Sequence, residues 1–473
     1  MNPMLFLPEL GLLFGSLLLF FQSLSPSGGV RARNLTLGVA LVSLIAAFAA
    51  FGQEGTLFYA AYSVDHFSQL FKLLIVAGLV VVLLLGTELK GVDVEIRPEY
   101  YLFMLLSTLG LVMMVSCVEL LSFFIALELS SYSLYLMVPM RDDRAGLRGQ
   151  MEAAIKYILF GVVATGVMLF GMSYLFGLTG TTYFNELLPR LHALSGAPVV
   201  MVGIVMVMGG FFYKLGVFPF HFWVPDVYQG SSNETTAFIA SVPKLGAVAM
   251  LIRITTLVAP GSEMVVNLLM VLAVASMFYG NLAALVQKDV KRMLGFSGIA
   301  HAGFVLLGLL TLNESGYATA MYYIFGYVVM NLACFLVICT VSREGENVLI
   351  EDLSGLHRRA PLLALTLAVG MFALAGIPPF VGFMGKFMLL AGALQAGHLL
   401  LVILAALNTA IAIYYYLSVV RVAFCNDPEE RPGVVVGGLT GAVSIGLMVL
   451  IVAMGVSPAV ILNLATQALQ AIL

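Results

Sequence analysis

The stretch PLLALTLAVGMFALAGIPPFVGFMGKFMLLAGALQAG, residues 361–397, is apolar throughout and is interrupted at its centre by Ala375-Gly376-Ile377-Pro378-Pro379. A straight transmembrane helix needs about 20 apolar residues, so this segment is far too long for one simple crossing. Two adjacent prolines remove backbone donors at membrane depth, which is tolerated only where the freed groups are buried in protein or line a cavity. The segment reads as a discontinuous helix. A second one lies at 198–222, where Gly209-Gly210 is followed by Val217-Phe218-Pro219-Phe220.

The whole chain has the composition these segments require. Of 473 residues, 61% are hydrophobic and only 10% are Asp, Glu, Lys or Arg, where a soluble protein carries about 25% charged residues. So little charge cannot cover a water-soluble chain of this length. Apolar spans fall at 4–22, 34–51, 65–87, 99–116, 118–140, 152–178, 198–222, 235–258, 263–287, 294–313, 316–342, 361–397, 399–423 and 434–456, followed by a short, mostly apolar tail, Ser457–Leu473. The expected fold is an all-α integral membrane protein of fourteen transmembrane helices. No positive residue precedes the first span and Glu9 interrupts it, so it reads as a retained helix rather than a cleaved signal. Cys117, Cys334, Cys339 and Cys425 form no CxxC pair, which excludes a disulfide scaffold and a cysteine metal cluster. No basic tract of the kind that grips nucleic acid is present.

Loop charge orients the helices, because cytoplasmic loops collect Lys and Arg. With the N-terminus outside, the inside loops hold Arg31, Arg33, Lys90, Arg97, Arg141, Arg144, Arg148, Lys288, Lys291, Arg292, Arg343, Arg358, Arg359, Arg421 and Arg431, and the outside loops hold Arg190 alone. Both termini then face outside. The broken helices are the seventh and the twelfth, five apart, and so run in opposite directions. Paired breaks of opposite sense point to an inverted repeat with a site at its interface. The expected organisation is three helices over 1–98, a first five-helix half-channel over 99–258, its inverted counterpart over 259–423, and the last helix with its tail over 424–473.

Six basic residues remain inside the spans: Lys72, Lys156, Lys214, Lys244, Arg253 and Lys386. Each costs roughly 2.5–3.5 kcal/mol at a helix centre, so retention of several implies use. Lys72 and Arg253 lie near the outer ends of their helices and read as snorkelling anchors. Lys214, Lys244 and Lys386 sit near mid-span or beside a break, where no side chain reaches water. An amine in that setting exchanges protons more readily than one in water, which suits a proton carrier. Glu128 is the one carboxylate near the centre of a span, and its approach to or withdrawal from a lysine would couple conformational change to proton release. Lys156, one turn into the sixth helix, can serve a relay or simply pair with Glu152 at i, i+4. His301 is mid-span and can be a relay or a hydrogen-bonded core residue. Glu9 and Glu119, near outer helix ends, read as solvated. Arg141 through Arg148 loosely resembles the charged loop of major-facilitator transporters, but it follows the fifth helix and reads as a solvated inside loop.

Three stretches resemble one family. Phe212-Tyr213-Lys214-Leu215-Gly216-Val217-Phe218-Pro219-Phe220-His221-Phe222-Trp223-Val224-Pro225-Asp226-Val227-Tyr228-Gln229-Gly230 is similar to a signature of the antiporter-like subunits of the proton-pumping NADH:quinone oxidoreductase, respiratory complex I. Ala375–Phe380 through Gly385-Lys386-Phe387 resembles its broken-helix motif, and Lys288 through Ser297, leading to His301, is a third match. The resemblance runs from about Glu99 to Arg421.

The resemblance implies that Glu128 and Lys214 form the first half-channel pair, that Lys156 and Lys244 make a lateral relay, and that Lys386 leads to outside release, with His301 carried over less directly. Within the family, Lys244 and the Asp226–Gly230 loop resemble the branch lying between the small quinone-side subunits and the subunit M-like antiporter chain. Lys rather than Glu at 386 argues against the M branch, and the absence of a long C-terminal amphipathic helix argues against the L branch. It further implies a bacterial inner (plasma) membrane location and a translocase subunit with no cofactor in this chain. FMN, iron-sulfur clusters and quinone are expected in partner subunits that oxidise NADH. The rival expectation is a subunit of a multisubunit cation/proton antiporter. The prevalence of lysine over clustered oxygen ligands favours protons.

Overall fold

The computed structural model describes residues 3–24, 28–86, 88–142, 146, 148–194, 197–259, 262–428 and 431–473; Arg144 lies outside them. Helices α1 (Leu7–Ser23), α2 (Gly29–Ala50) and α3 (His66–Leu85) come first, with a small antiparallel hairpin of β1 (Gly55–Leu57) and β2 (Tyr62–Val64) between the last two. The hairpin is an addition to the all-helical expectation. Next come α4 (Arg97–Met114), α5 (Leu120–Met137), α6 (Gly149–Thr179), the short α7 (Phe184–Ala193), α8 (Pro198–Leu215), α9 (Trp223–Gly230) and α10 (Asn233–Thr255). The remainder is α11 (Glu263–Ala284), α12 (Val290–Leu309), α13 (Glu314–Val341), the single turn α14 (Leu356–Arg359), α15 (Pro361–Ala375), α16 (Val381–Gln395), α17 (Leu399–Cys425), α18 (Gly438–Val456) and α19 (Pro458–Leu469).

Among the described residues, twelve helices are long and apolar enough to cross a membrane. Three further helices explain the distance from the expected fourteen. The chain at 361–397 is divided into α15 and α16, each too short to cross alone, and α4 is long enough but begins on Arg97 and Glu99. The tail after Ser457 is helical.

Both expected breaks occur, and they close in the same way. Helix α8 ends at Gly216 with φ +83°, and α15 ends at Gly376 with φ +86°. Each places a glycine in the left-handed region, where a Cβ would clash with the following carbonyl oxygen. The Gly216 and Val217 N–H groups donate back to Tyr213 and Phe212, and those of Gly376 and Ile377 to Ala373 and Phe372. This Schellman pairing satisfies carbonyls that a broken helix would otherwise leave bare inside a membrane.

Helix α10 is the axis of the molecule. All 23 of its residues are buried, against α3, α4, α8, α12 and α13. A helix apolar and buried on every side can carry a charge only where neighbouring elements supply partners. Helices α1, α2, α6, α17 and α18 bury far less of themselves and form the outer faces. The four cysteines are unpaired.

Candidate functional site

The buried polar groups follow from where the helices stop. Lys214 is the penultimate residue of α8, so the Gly216 turn holds its side chain at the break. Its Nζ donates to Ser130 Oγ at 3.0 Å and Ser131 Oγ at 3.1 Å, both on α5. Glu128 lies one half-turn earlier on α5 and accepts from Thr165 Oγ1 at 2.8 Å. The expected pair therefore shares one helix-helix contact but is not a closed ion pair. Among the described residues, no carboxylate lies within 4 Å of Lys214.

In the second half, Lys386 stands on α16, one turn beyond the break, and reaches back to the end of α15. Its Nζ donates to the Leu374 and Ala375 carbonyls at 3.0 and 3.2 Å. Those are orphan carbonyls at the negative end of a helix dipole, which is where an ammonium is favoured. The ammonium also lies 5.0 Å from the Phe304 ring centroid.

Lys244, on α10, donates to the Tyr327 hydroxyl at 3.2 Å and sits over the same ring at 5.0 Å. The Tyr327 ring packs 5.0 Å from the His301 imidazole. His301 Nδ1 hydrogen-bonds with Tyr323 OH at 2.6 Å and Nε2 with Tyr416 OH at 3.1 Å, and Tyr416 OH makes a short hydrogen bond with Ser297. Phe304, beneath Lys386, is one turn along α12 from His301. The structure thus strings Lys244, Tyr327, His301 and Lys386 along one polar-aromatic file.

Lys156 is placed apart from this file. Its Nζ pairs with Glu152 at 2.7 Å and Asp226 at 2.6 Å, and its side chain is 37% exposed. Arg292 holds the other Asp226 oxygen at 2.6 Å. Burial works against the Asp226 charge, but the Lys156 and Arg292 hydrogen bonds outweigh it and hold this carboxyl below the usual range. Glu152 and Asp226 line a cavity of about 790 Å³, together with Gln229, Gly230, Glu346 and Asn347.

Five expectations are corrected. Lys72 does not snorkel, and Glu9 is not solvated. Both are completely buried, 2.7 Å apart, with Tyr62 OH donating to Glu9 at 2.5 Å, because β2 carries Tyr62 over the ends of α1 and α3. Arg253 is buried against Asp65 at 2.7 Å, which itself caps α3. Glu119 caps α5 by accepting from the Leu121 and Ser122 N–H groups rather than facing water. Lys291, assigned to an inside loop, is fully buried in the first turn of α12 and donates to the Ser231 carbonyl at 2.7 Å. Sequence reasoning also missed the tyrosines. Tyr323, Tyr327 and Tyr416 carry the file, and an alternation of aromatics with mid-span ionisable residues is the signal that could have found them.

A family model described as NADH:quinone oxidoreductase/Mrp antiporter, TM, matches residues 117–412. NADH-quinone oxidoreductase subunit N 2 of Opitutus terrae is 53% identical over 470 residues, covering 99% of this chain and 98% of that one. Respiratory complex I from Thermus thermophilus contains a chain of like structure, with TM-score 0.84 and 32% identity over 97% of this chain and 99% of that chain. A chain of the Mrp complex from Dietzia sp. shares the fold at TM-score 0.86 and 22% identity, over 99% of this chain and 97% of that chain.

Proposed function

The chain belongs to the NADH:quinone oxidoreductase/Mrp antiporter membrane family, in its NADH-quinone oxidoreductase subunit N branch, and on that premise we propose that it moves protons from the cytoplasm to the outside. The observation that carries this reading is a difference among buried cations. Lys72 and Arg253 are closed against carboxylates. Lys214, Lys244 and Lys386 are as deeply buried, yet their partners are hydroxyls and carbonyls. A buried charge without a counter-ion is costly, and a neutral amine in the same place keeps its hydrogen bonds. Each of the three can therefore hold or release a proton without dismantling its surroundings.

In this reading Glu128 and Lys214 take up the proton in the first half-channel. Glu128 close to Lys214 favours the charged amine, and Glu128 held away by Thr165 favours release. The proton then passes to Lys244 and through Tyr327 and His301 to Lys386, which leads outside. Lys156 serves at the cytoplasmic mouth, where its Asp226 and Glu152 partners face the cavity, rather than midway along the file.

The chain would cross the bilayer fourteen times, counting the span over 198–222 and α15 with α16 as single broken helices. The half-channels over 99–258 and 259–423 would be related by inversion, with both termini outside. Neighbours in the membrane would be a subunit M-like antiporter chain and the small quinone-side subunits. Carrying one charge outward against 100 mV requires about 2.3 kcal/mol. That work would come from NADH oxidation in partner subunits that hold the flavin, iron-sulfur clusters and quinone.

The test is substitution in the whole complex. Lys214→Ala and Lys386→Ala are expected to leave assembly normal and to reduce NADH-driven proton pumping severely. Unchanged pumping would leave only a scaffold role.

A further inference from the structure

Lys291 shares the signature of the three relay lysines, although the sequence places it among loop charges. Its exposure is 0%. It lies in the first turn of α12, where the helix dipole disfavours a cation. Its Nζ donates to the Ser231 carbonyl, and no carboxylate lies within 4 Å among the described residues. A lysine kept in such a place needs a reason beyond one hydrogen bond.

The face of α12 above it supplies one. Positions 291, 295 and 298 follow one another at i, i+4 and i+7, which is one stripe of a helix. Residues 295 and 298 are glycines. The Tyr228 ring lies on Gly295, where an added Cβ would stand 3.3 Å from its Cδ2. Above Gly298 three polar groups converge: an added Cβ would be 2.9 Å from both Lys244 Nζ and Tyr327 OH, and 3.9 Å from Tyr228 OH. Tyr228 is completely buried, and its hydroxyl has no hydrogen-bond partner among the described residues. A buried hydroxyl left open at the tip of a lysine marks a place where a proton or a water is received. At the other end of the stripe, Ser231 adjoins Gly230, which lines the 790 Å³ cavity.

We propose that Lys291 and Tyr228 form a second uptake route, from the cavity directly to Lys244, bypassing Glu128 and Lys214. This rests on the proton-translocating reading of Lys244. In the transfer, a proton leaves the Lys291 ammonium and one arrives on neutral Lys244. The Tyr228 hydroxyl, with an intervening water, accepts one proton as it donates another, so that no other bond changes.

The experiment compares Lys291→Arg, Tyr228→Phe and Lys244→Ala in the assembled complex in inverted membrane vesicles, reading NADH oxidation and NADH-driven acidification together. Lys291→Arg keeps the charge and a donor for Ser231 but cannot release a proton. Tyr228→Phe removes a hydroxyl that no group among the described residues uses. Both are expected to assemble, to oxidise NADH, and to lower acidification part of the way toward the Lys244→Ala level, since the route through Lys214 remains. If both acidify like the wild type while Lys244→Ala does not, the second route is wrong and the main relay stands. If Lys244→Ala also acidifies like the wild type, the relay and the route built on it both fall.

Discussion

A lysine buried against a carboxylate and a lysine buried among hydroxyls respond differently to the loss of a neighbour, and this chain holds both kinds. For the closed pair, removing one partner strands the other charge. Glu9→Gln or Lys72→Met alone is expected to destabilise by about 3–5 kcal/mol, and the double substitution by much less. Thermal melting of the purified complex, or retention of the chain in membranes, checks this. Equal and additive losses would mean that the pair contributes nothing as a pair. Hydropathy alone revealed the depth of Lys214, Lys244 and Lys386, since their flanks are apolar for a full span. It misplaced Lys72, Glu9 and Lys291, because each lies within two turns of a helix end, and what buries it comes from a distant part of the chain. Tyr62 of the hairpin covers the first two, and the loop at Ser231 covers the third.

At the scale of elements, the two breaks are the devices that put amines beside helix ends. Gly376→Ala adds a methyl 3.1 Å from Lys386 Cδ and forces a left-handed backbone on alanine, a strain of about 1–2 kcal/mol. It is expected to assemble and to pump poorly, whereas Gly392→Ala, which meets open space on α16, leaves pumping unchanged. Equal pumping in both would separate the break from the function. Proline and glycine patterning exposed both breaks in the sequence. The hairpin stayed hidden because its strands are three residues each, too short for an alternating pattern. The α9–α12 contact carries a pH effect through Asp226. A carboxyl held below its ordinary range stabilises the fold above that range, and the gain disappears as pH falls through the lowered value. Melting of the Asp226→Asn complex should therefore fall below wild type at neutral pH and converge with it in acid. A constant gap across pH would show that the ionised carboxylate is not what the contact uses.

For the whole molecule, the loop charges predict both termini outside. An alkaline phosphatase fusion after Leu473 is expected to be active, and an inactive one would reverse the orientation. The alternation of charge was legible because it depends only on which loops carry Arg and Lys. The lateral file was not, because Tyr327, His301 and Tyr416 stand on three helices and meet only when α12, α13 and α17 pack. On the reading proposed above, this file carries protons whose driving energy comes from electron transfer elsewhere. It is tested most directly by the proton-to-electron ratio of the purified complex in sealed proteoliposomes, with wild-type chain and with Lys244→Ala. NADH oxidation is expected to continue while fewer protons cross per electron. A ratio identical to wild type, in a complex that retains this chain, would contradict it.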